Sequence, residues 1–173
     1  MDDILERAKR VRLVIFDVDG VLTDGSLYLS DSGEEMKAFN TLDGHGMKML
    51  QASGVVLAII TGRRSRCVEL RAQNLGISHL YQGASDKLVA YRDLLEKLQL
   101  RPDETAYMGD DVVDLPVMRR AGFAIAVPDA PDIVRQNAHY VTRRSGGRGA
   151  VREACEFLMR MQDSYDAMIA EYL

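Results

Sequence analysis

Hydrophobic residues along the chain are concentrated in short unbroken runs that are separated by helical patterns. Four runs lack the polar alternation of a half-exposed strand: Arg12–Phe16, Val55–Ile60, Thr105–Met108 and Phe123–Val127. Runs of this length without alternation are typical of parallel strands that are covered on both faces. We therefore predict a parallel sheet built from these four segments.

Two segments carry apolar residues at the spacing of a helix face. In Ser85–Leu98 and Gly149–Met161, apolar residues recur every three or four positions: Leu88, Tyr91, Leu95 and Leu98, then Val151, Cys155 and Leu158. Ser85 is the predicted N-cap of the first helix, with an acidic residue in its first turn. Strands alternating with helices predict an α/β, doubly wound, Rossmann-like fold.

One segment interrupts this alternation. Residues 25–39 read as two short strands around the turn Ser30–Gly33, which predicts a β-hairpin that projects from the sheet. Residues 150–173 are expected to form a C-terminal helix with a tail. No linker or repeat divides the 173 residues, so a single domain over 1–173 is predicted.

Composition and charge narrow the class of protein. The chain is 47% hydrophobic and 28% charged, which is ordinary for a soluble globular domain. Its net charge of -4 provides no cationic field for nucleic acid or anionic lipid. No apolar run approaches the roughly 20 residues that span a membrane, and the charged N-terminus does not resemble a signal peptide. These features predict a cytoplasmic protein that binds neither nucleic acid nor membrane, with Cys67 and Cys155 buried and reduced.

Carboxylates follow two of the predicted strands. Asp17 and Asp19 come directly after the first strand, and Gly109–Asp114 (GDDVVD) follows the third. Ligands of open α/β sheets bind beyond the carboxyl ends of the strands, where both clusters should meet. Like charges at one edge repel unless a cation compensates them, and oxygen ligands suit Mg²⁺. A single aspartate could equally be a turn or cap residue.

Two further features are suited to an anion. Thr61-Gly62-Arg63 ends the second strand with a hydroxyl, a compact glycine and a guanidinium, which together could cradle a phosphate. Lys87 lies in the first turn of a predicted helix, the wrong end for a cation unless an anion is nearby. Taken separately, the threonine could be a cap and the lysine a solvated surface residue.

The order DxDGVxT, TGR, Lys and GDDxxD resembles the haloacid dehalogenase-like phosphohydrolases. The resemblance implies that Asp17 is the nucleophile, that Asp19 is the general acid and base, and that Thr61 and Lys87 hold the phosphoryl group. It also implies that Asp17, the main-chain carbonyl of Asp19 and Asp110 ligate Mg²⁺. Asp111 and Asp114 would support these ligands.

The spacing between the motifs leaves no room for a cap domain, so the enzyme is expected to be capless. The runs DGVLTDGSLY and FNTLDGHGMKML resemble phosphatases of 8- and 9-carbon keto-sugar acid phosphates. That resemblance implies an octulosonate 8-phosphate as substrate, a role in lipopolysaccharide precursor synthesis, and a homotetramer in which a neighbour closes each site.

The same resemblance implies a set of substrate contacts. The implied residues are Asp19, Asn40, Thr41, Leu42, Asp43, Gly44, Lys48, Arg63, Arg71 and Lys87. Cations beyond Lys87 make chemical sense, because a sugar acid phosphate carries a carboxylate remote from its phosphate. On residue type alone, Arg71 could be a solvated helix residue and Asp43-Gly44 a turn. Arg148, in the glycine-rich loop 143–149, is a further candidate that could instead belong to a flexible surface loop.

Three other functions fit parts of the sequence. A phosphatase of a nonulosonate 9-phosphate would share nearly all the motifs. A phospho-accepting signalling domain also places aspartates at strand ends with a later lysine, but DxD, TGR and GDDxxD together disfavour it. A catalytically silent binding domain is disfavoured by the intact acidic set.

Overall fold

The computed structural model describes residues 2–173, and its largest unit is a six-stranded parallel sheet. The strands of the chain, numbered in order, are β1 (Leu13–Phe16), β2 (Tyr28–Leu29), β3 (Glu35–Met36), β4 (Val56–Ile60), β5 (His79–Tyr81), β6 (Thr105–Gly109), β7 (Phe123–Ala126) and β8 (Tyr140–Val141). The sheet has the order β5-β4-β1-β6-β7-β8, with every pair parallel. β1 therefore lies inside the sheet, where the direction of winding reverses.

Helices connect and flank these strands. They are α1 (Asp2–Arg10), α2 (Thr41–Ala52), α3 (Arg66–Leu75), α4 (Lys87–Leu98), α5 (Leu115–Met118), α6 (Asp132–Gln136), α7 (Ala150–Met161) and α8 (Tyr165–Ala170). The predicted doubly wound α/β fold is confirmed. Every residue of β1 and β7 is buried, as expected for strands covered on both faces. The four predicted runs become β1, β4, β6 and β7, each within one residue at either end.

Several elements escaped prediction, among them β8 and α1, because their patterns are short or polar. β8 has only two residues, too few to show a period. α1 is mostly charged, and it attaches to the core through Ala8, which is fully buried, and through Ile4. In the described part of the chain, no helix is long and apolar enough to cross a membrane.

The start of α4 differs from the prediction. Asp86, not Ser85, is the N-cap, and its side chain accepts the N–H of Leu88 at 2.9 Å. The expected acidic residue is therefore the cap itself, and the first helical turn contains none. The carboxylate of Asp86 accepts an N–H that has no partner within the helix, and its negative charge interacts favourably with the positive end of the helix dipole. Asp86 therefore takes the cap position that Ser85 was expected to hold.

The predicted hairpin is confirmed, and two helices occupy the C-terminal segment. β2 and β3 pair antiparallel around the turn Ser30–Gly33, apart from the main sheet. α7 ends at Met161. Asp163 has a left-handed backbone conformation with a φ of 56°, which separates α7 from α8. Both cysteines are free; Cys155 is buried, but Cys67 is only partly so, which corrects the expectation for that residue.

Candidate active site

The sheet register brings the ends of three strands together. Phe16, the last residue of β1, lies opposite Ile59 of β4 and Met108 of β6. Asp17 continues this register, since its N–H donates to the carbonyl of Met108 at 3.0 Å. Thr61 follows β4 and Asp110 follows β6, so the three predicted motifs reach the same edge. This is the edge where ligands of open α/β sheets bind.

The chain turns sharply after Asp17. The carbonyl of Val18 accepts the N–H groups of Val21, Leu22 and Thr23 at 2.9–3.2 Å. Gly20 has φ +88°, and a Cβ there would lie 2.0 Å from Oδ2 of Asp110. Only glycine permits both the backbone conformation and the approach of this carboxylate. The glycine of the DxDG motif thus lets the first acidic cluster meet the second.

Lys87 is a buried member of the site. Its side chain is 5% exposed, and Nζ lies 2.9 Å from Oδ1 of Asp17 and 2.6 Å from Oδ1 of Asp114. Burial acts to lower the pKa of Lys87, but the two carboxylates outweigh burial and raise it. The alternative of a solvated surface lysine is therefore wrong, and the ammonium stays charged at neutral pH.

Asp114 organises the loop that follows β6. Its Oδ1 accepts the hydroxyl of Tyr107 at 2.7 Å as well as Lys87. Its Oδ2 accepts the N–H groups of Asp110 and Asp111 at 3.0 and 3.2 Å. Both oxygens of Asp114 are thus committed to protein donors, as expected for a residue that supports the ligands.

Three carboxylates form a group that suits a divalent cation. Asp17, Asp110 and Asp114 each offer an oxygen within 4.8 Å of the others. Burial and the charge of Asp114 raise the pKa of Asp17 to about 6. Burial and the charges of Asp17 and Asp114 raise the pKa of Asp110 to about 8. A bound cation would compensate carboxylates clustered in this way, and hard oxygen donors fit Mg²⁺. Since Asp114 is already bonded, Asp17 and Asp110 are the side chains best suited to hold the ion.

Asp19 is held chiefly by Lys37, a residue that the sequence did not single out. Nζ of Lys37 donates to Oδ1 of Asp19 and lies 3.2 Å from Oε1 of Glu35. Arg63 lies 3.9 Å from Oδ2 of Asp19 and 3.5 Å from Glu35. Glu35 and Lys37 are two residues apart, which places their side chains on the same face of a strand. This spacing was the only feature of the sequence that could have indicated that they act together. Charges on a hairpin are usually solvated, so the pattern was not distinctive.

Thr61 is also at the site edge. It is 2% exposed, its N–H donates to Tyr81 at 2.9 Å, and its carbonyl accepts the N–H of Ala84 at 3.1 Å. These backbone bonds fix the residue between β4 and the loop that leads to Lys87. Its role in holding a phosphoryl group stays a prediction.

The remaining predicted contacts form a second group around the start of α2. Oδ1 of Asn40 caps α2 by accepting the N–H groups of Leu42 and Asp43, and the carbonyl of Asn40 accepts Arg71 at 3.0 Å. Gly44 leaves space for the guanidinium of Arg71, because a Cβ on Gly44 would lie 2.2 Å from a terminal nitrogen of that group. Thr41 and Lys48 are exposed on the same helix. Among the described residues, no hydrogen bond or ion pair joins this group to Asp17, Asp19 or Lys87.

Asp43 has a structural task within this group. It is 2% exposed, and its carboxylate accepts the N–H groups of Gly149 and Arg152 at 3.3 and 2.8 Å, at the start of α7. Burial raises the pKa of Asp43, although these hydrogen bonds act to lower it. Asp43 belongs to α2 itself, which excludes the alternative of an Asp43-Gly44 turn before a later helix.

Replacing Asp43 by alanine tests whether this task is structural. Asp43→Ala is expected to lower the free energy of unfolding by about 1–2 kcal/mol, because the N–H groups of Gly149 and Arg152 at the start of α7 lose their acceptor. Thermal unfolding measures the change, with Asp132→Ala on the exposed face of α6 as the control. An unchanged melting temperature together with a raised KM would contradict the structural role and favour a sugar contact.

The loop 143–149 packs on the turn that follows Asp17. A Cβ on Gly146 would lie 1.8 Å from the carbonyl of Gly20, and the N–H of Gly147 donates to Val21 at 2.9 Å. Arg148 reaches Asp24 at 3.2 Å. The alternative of a flexible surface loop is wrong for its glycines, which provide the space for two backbones to touch.

A family model described as haloacid dehalogenase-like hydrolase matches residues 76–153. The 3-deoxy-D-manno-octulosonate 8-phosphate phosphatase of Yersinia pestis is 53% identical over 165 residues, or 95% of this chain and 88% of that protein. The phosphatase of the same name from Escherichia coli K12 is 51% identical over 95% of this chain and 87% of its own length.

Solved structures agree with this similarity. The 3-deoxy-D-manno-octulosonate 8-phosphate phosphatase of Moraxella catarrhalis, in complex with magnesium, phosphate and KDO, superposes with a TM-score of 0.98. It is 46% identical and is matched over 100% of this chain and 99% of that one. The Yersinia pestis enzyme superposes with a TM-score of 0.93 over 95% of this chain and 89% of its own.

Proposed function

Because the chain belongs to the haloacid dehalogenase-like family of 3-deoxy-D-manno-octulosonate 8-phosphate phosphatases, we propose that it hydrolyses that sugar acid phosphate to the free sugar acid and phosphate. The observation that carries the proposal is the contact of a buried lysine with the first aspartate of the DxD motif. Lys87 and Asp17 meet at 2.9 Å beside Asp110, at the edge where the motifs converge. A cation, a nucleophilic carboxylate and a metal position are what phosphoryl transfer requires.

The side chains divide the reaction into two steps. An oxygen of Asp17 attacks phosphorus, the bond from phosphorus to the sugar oxygen breaks, and Asp19 protonates the departing alkoxide. Water then attacks the aspartyl phosphate, Asp19 accepts its proton, and the bond from phosphorus to Asp17 breaks. Lys87 and the hydroxyl of Thr61 hold the oxygens of the transferring group in both steps.

Mg²⁺ fits the carboxylates of Asp17 and Asp110, with the main-chain carbonyl of Asp19 as the further protein ligand that we propose. When bound, it supplies positive charge that allows a carboxylate to approach a dianionic phosphate. Burial and, after it, repulsion from Asp17 and Asp114 raise the pKa of Asp110 to about 8, which supports this position for the cation.

The sugar acid is proposed to meet two groups of residues. Arg63, beside Asp19, is available within the same chain for the carboxylate or hydroxyls of the substrate. Asn40–Gly44, Lys48 and Arg71 are the other proposed contacts. Since no described contact joins them to Asp17, we propose that they act across a subunit boundary in a homotetramer.

The hairpin supports assembly of several copies. Leu27, Tyr28, Leu29 and Met36 are 47–64% exposed on a two-stranded hairpin that stands apart from the sheet. Clustered exposed apolar residues mark surfaces that another protein covers. A neighbour bound there would also cover a site that has no cap domain.

A charge on the hairpin tests the proposed tetramer. Leu29→Glu is expected to shift the protein from tetramer toward monomer, because the carboxylate would be desolvated at the interface. Analytical ultracentrifugation measures the mass, and Asp31→Asn in the exposed turn is the control. A wild-type monomer with full activity at assay concentration would contradict the proposal.

Substrate identity is tested by a comparison of kcat/KM values in the presence of Mg²⁺. We expect 3-deoxy-D-manno-octulosonate 8-phosphate to exceed a nonulosonate 9-phosphate and simple hexose phosphates by about 100-fold, or about 2.7 kcal/mol of transition-state binding. A higher value for the 9-phosphate would move the proposal to that substrate. Equal, slow hydrolysis of every ester would support the phosphatase activity. It would contradict the specificity for the sugar acid and, with it, the proposed role in lipopolysaccharide precursor synthesis.

A further inference from the structure

Lys37 is the most deeply buried cation outside the group around Lys87. Its side chain is 1% exposed, although it follows β3 on a hairpin whose other residues are largely exposed. Nζ donates to Oδ1 of Asp19 and lies 3.2 Å from Oε1 of Glu35. A buried ammonium is costly unless it is paired, and here both of its partners are carboxylates.

Four charges form a closed network at this position. Glu35 and Lys37 come from the hairpin, Asp19 from the turn after β1, and Arg63 from the loop after β4. Two carboxylates balance two cations, and each carboxylate faces both cations. Arg63 is half exposed, so Lys37 is the buried centre of the network.

The two oxygens of Asp19 differ in this network. Oδ1 accepts Lys37, whereas Oδ2 lies 3.9 Å from Arg63, beyond hydrogen-bond distance. A carboxyl group that donates its proton to a leaving alkoxide needs one oxygen that is not occupied by a donor. A carboxylate on a turn also rotates readily, and a fixed bond to one oxygen would restrict that rotation.

We propose that Lys37 is a positioning residue that fixes Asp19 through Oδ1, so that Oδ2 carries the proton to and from the reacting oxygen. This inference rests on the proposed phosphatase chemistry and adds the hairpin to it. Glu35 orients Lys37 in turn. The hairpin is therefore part of the catalytic apparatus within its own chain, in addition to any role in assembly.

The dependence on leaving group tests this positioning. An alkyl phosphate needs a proton on its leaving oxygen, whereas the p-nitrophenolate ion leaves without one. For Lys37→Met, we expect kcat/KM to fall about 100-fold for the preferred alkyl phosphate and less than about 3-fold for p-nitrophenyl phosphate, since general acid catalysis is worth about 10²–10⁴-fold. A merely structural role would lower both values by the same factor.

Three further variants isolate the route through Asp19. Lys37→Arg is expected to restore most of the activity toward the alkyl ester, and Lys37→Gln is the second test if the methionine variant does not fold. Lys97→Met, which removes an exposed ion pair with Asp93 at 2.7 Å, is the matched lysine control. In an Asp19→Asn background, Lys37→Met is expected to have no further effect on kcat/KM.

The outcomes separate the two proposals. Equal losses for both esters, a change confined to KM, or a full additional loss in the Asp19→Asn background would overturn the positioning role of Lys37. Wild-type activity toward simple alkyl phosphates but not the sugar acid phosphate would overturn the proposed substrate and leave this test intact. A wild-type chain that hydrolyses neither ester in Mg²⁺ would remove both proposals.

Discussion

Asp17→Asn is expected to lower kcat by at least about 10⁴-fold while the protein remains folded, because the amide cannot accept a phosphoryl group. The substitution preserves the shape of the side chain and removes its negative charge. Burial and the charge of Asp114 raise the pKa of Asp17 to about 6, so this charge is unfavourable in the metal-free protein. Thermal unfolding of the metal-free variant should therefore occur at or above the wild-type temperature. Phosphate release and circular dichroism measure the two effects.

Asp93→Asn is the control for this experiment, because Asp93 is an exposed partner of Lys97 on α4. It is expected to retain wild-type kcat. A loss of less than about tenfold for Asp17→Asn would show that another group receives the phosphoryl group, and the nucleophile would have to be reassigned.

Asp110→Asn is expected to abolish the response to Mg²⁺ and to stabilise the metal-free protein. Its folded pKa of about 8 lies far above the unfolded value near 4, so the folded state binds this proton more tightly. Metal-free wild type should therefore lose stability as pH rises from about 4 to 8. At pH 8 we expect the variant to melt roughly 4–8 °C higher than metal-free wild type, corresponding to about 2 kcal/mol.

Mg²⁺ should raise the melting temperature of the wild type at pH 8 and leave that of Asp110→Asn unchanged, while the activity of the variant falls at least about 100-fold. Differential scanning fluorimetry across pH, with and without Mg²⁺, measures these changes, with Asp93→Asn as the control. A variant that melts lower than wild type and still responds to Mg²⁺ would contradict the position of the ion.

Sequence patterns predicted the sheet and the edge at which the acidic motifs meet, because both depend on local signals. Each buried strand is a short apolar run, and Asp17, Thr61 and Asp110 follow such runs directly. Because parallel strands end at the same edge of the sheet, the residues that follow them lie close together. An anionic partner for Lys87 was predicted because the start of a helix is already positive, but its burial between Asp17 and Asp114 was not.

Contacts between distant segments could not be predicted in this way. Lys37 meets Asp19 only because the hairpin folds over the site, and a charged hairpin gives no local sign of that fold. Asp43 likewise caps a helix more than 100 residues away in sequence. Both side chains are buried by tertiary packing, which overrides the solvent-exposed character that their residue types suggest.

The central claim is that Asp17 carries the phosphoryl group, and chemical trapping tests it most directly. In Asp19→Asn, supplied with Mg²⁺ and p-nitrophenyl phosphate, the second step lacks its general base, so the aspartyl phosphate should accumulate. Acid quenching, borohydride reduction and mass spectrometry should then find homoserine at position 17, and none when Mg²⁺ is omitted. Steady phosphate release with position 17 unmodified, or with the modification at another residue, would contradict the account.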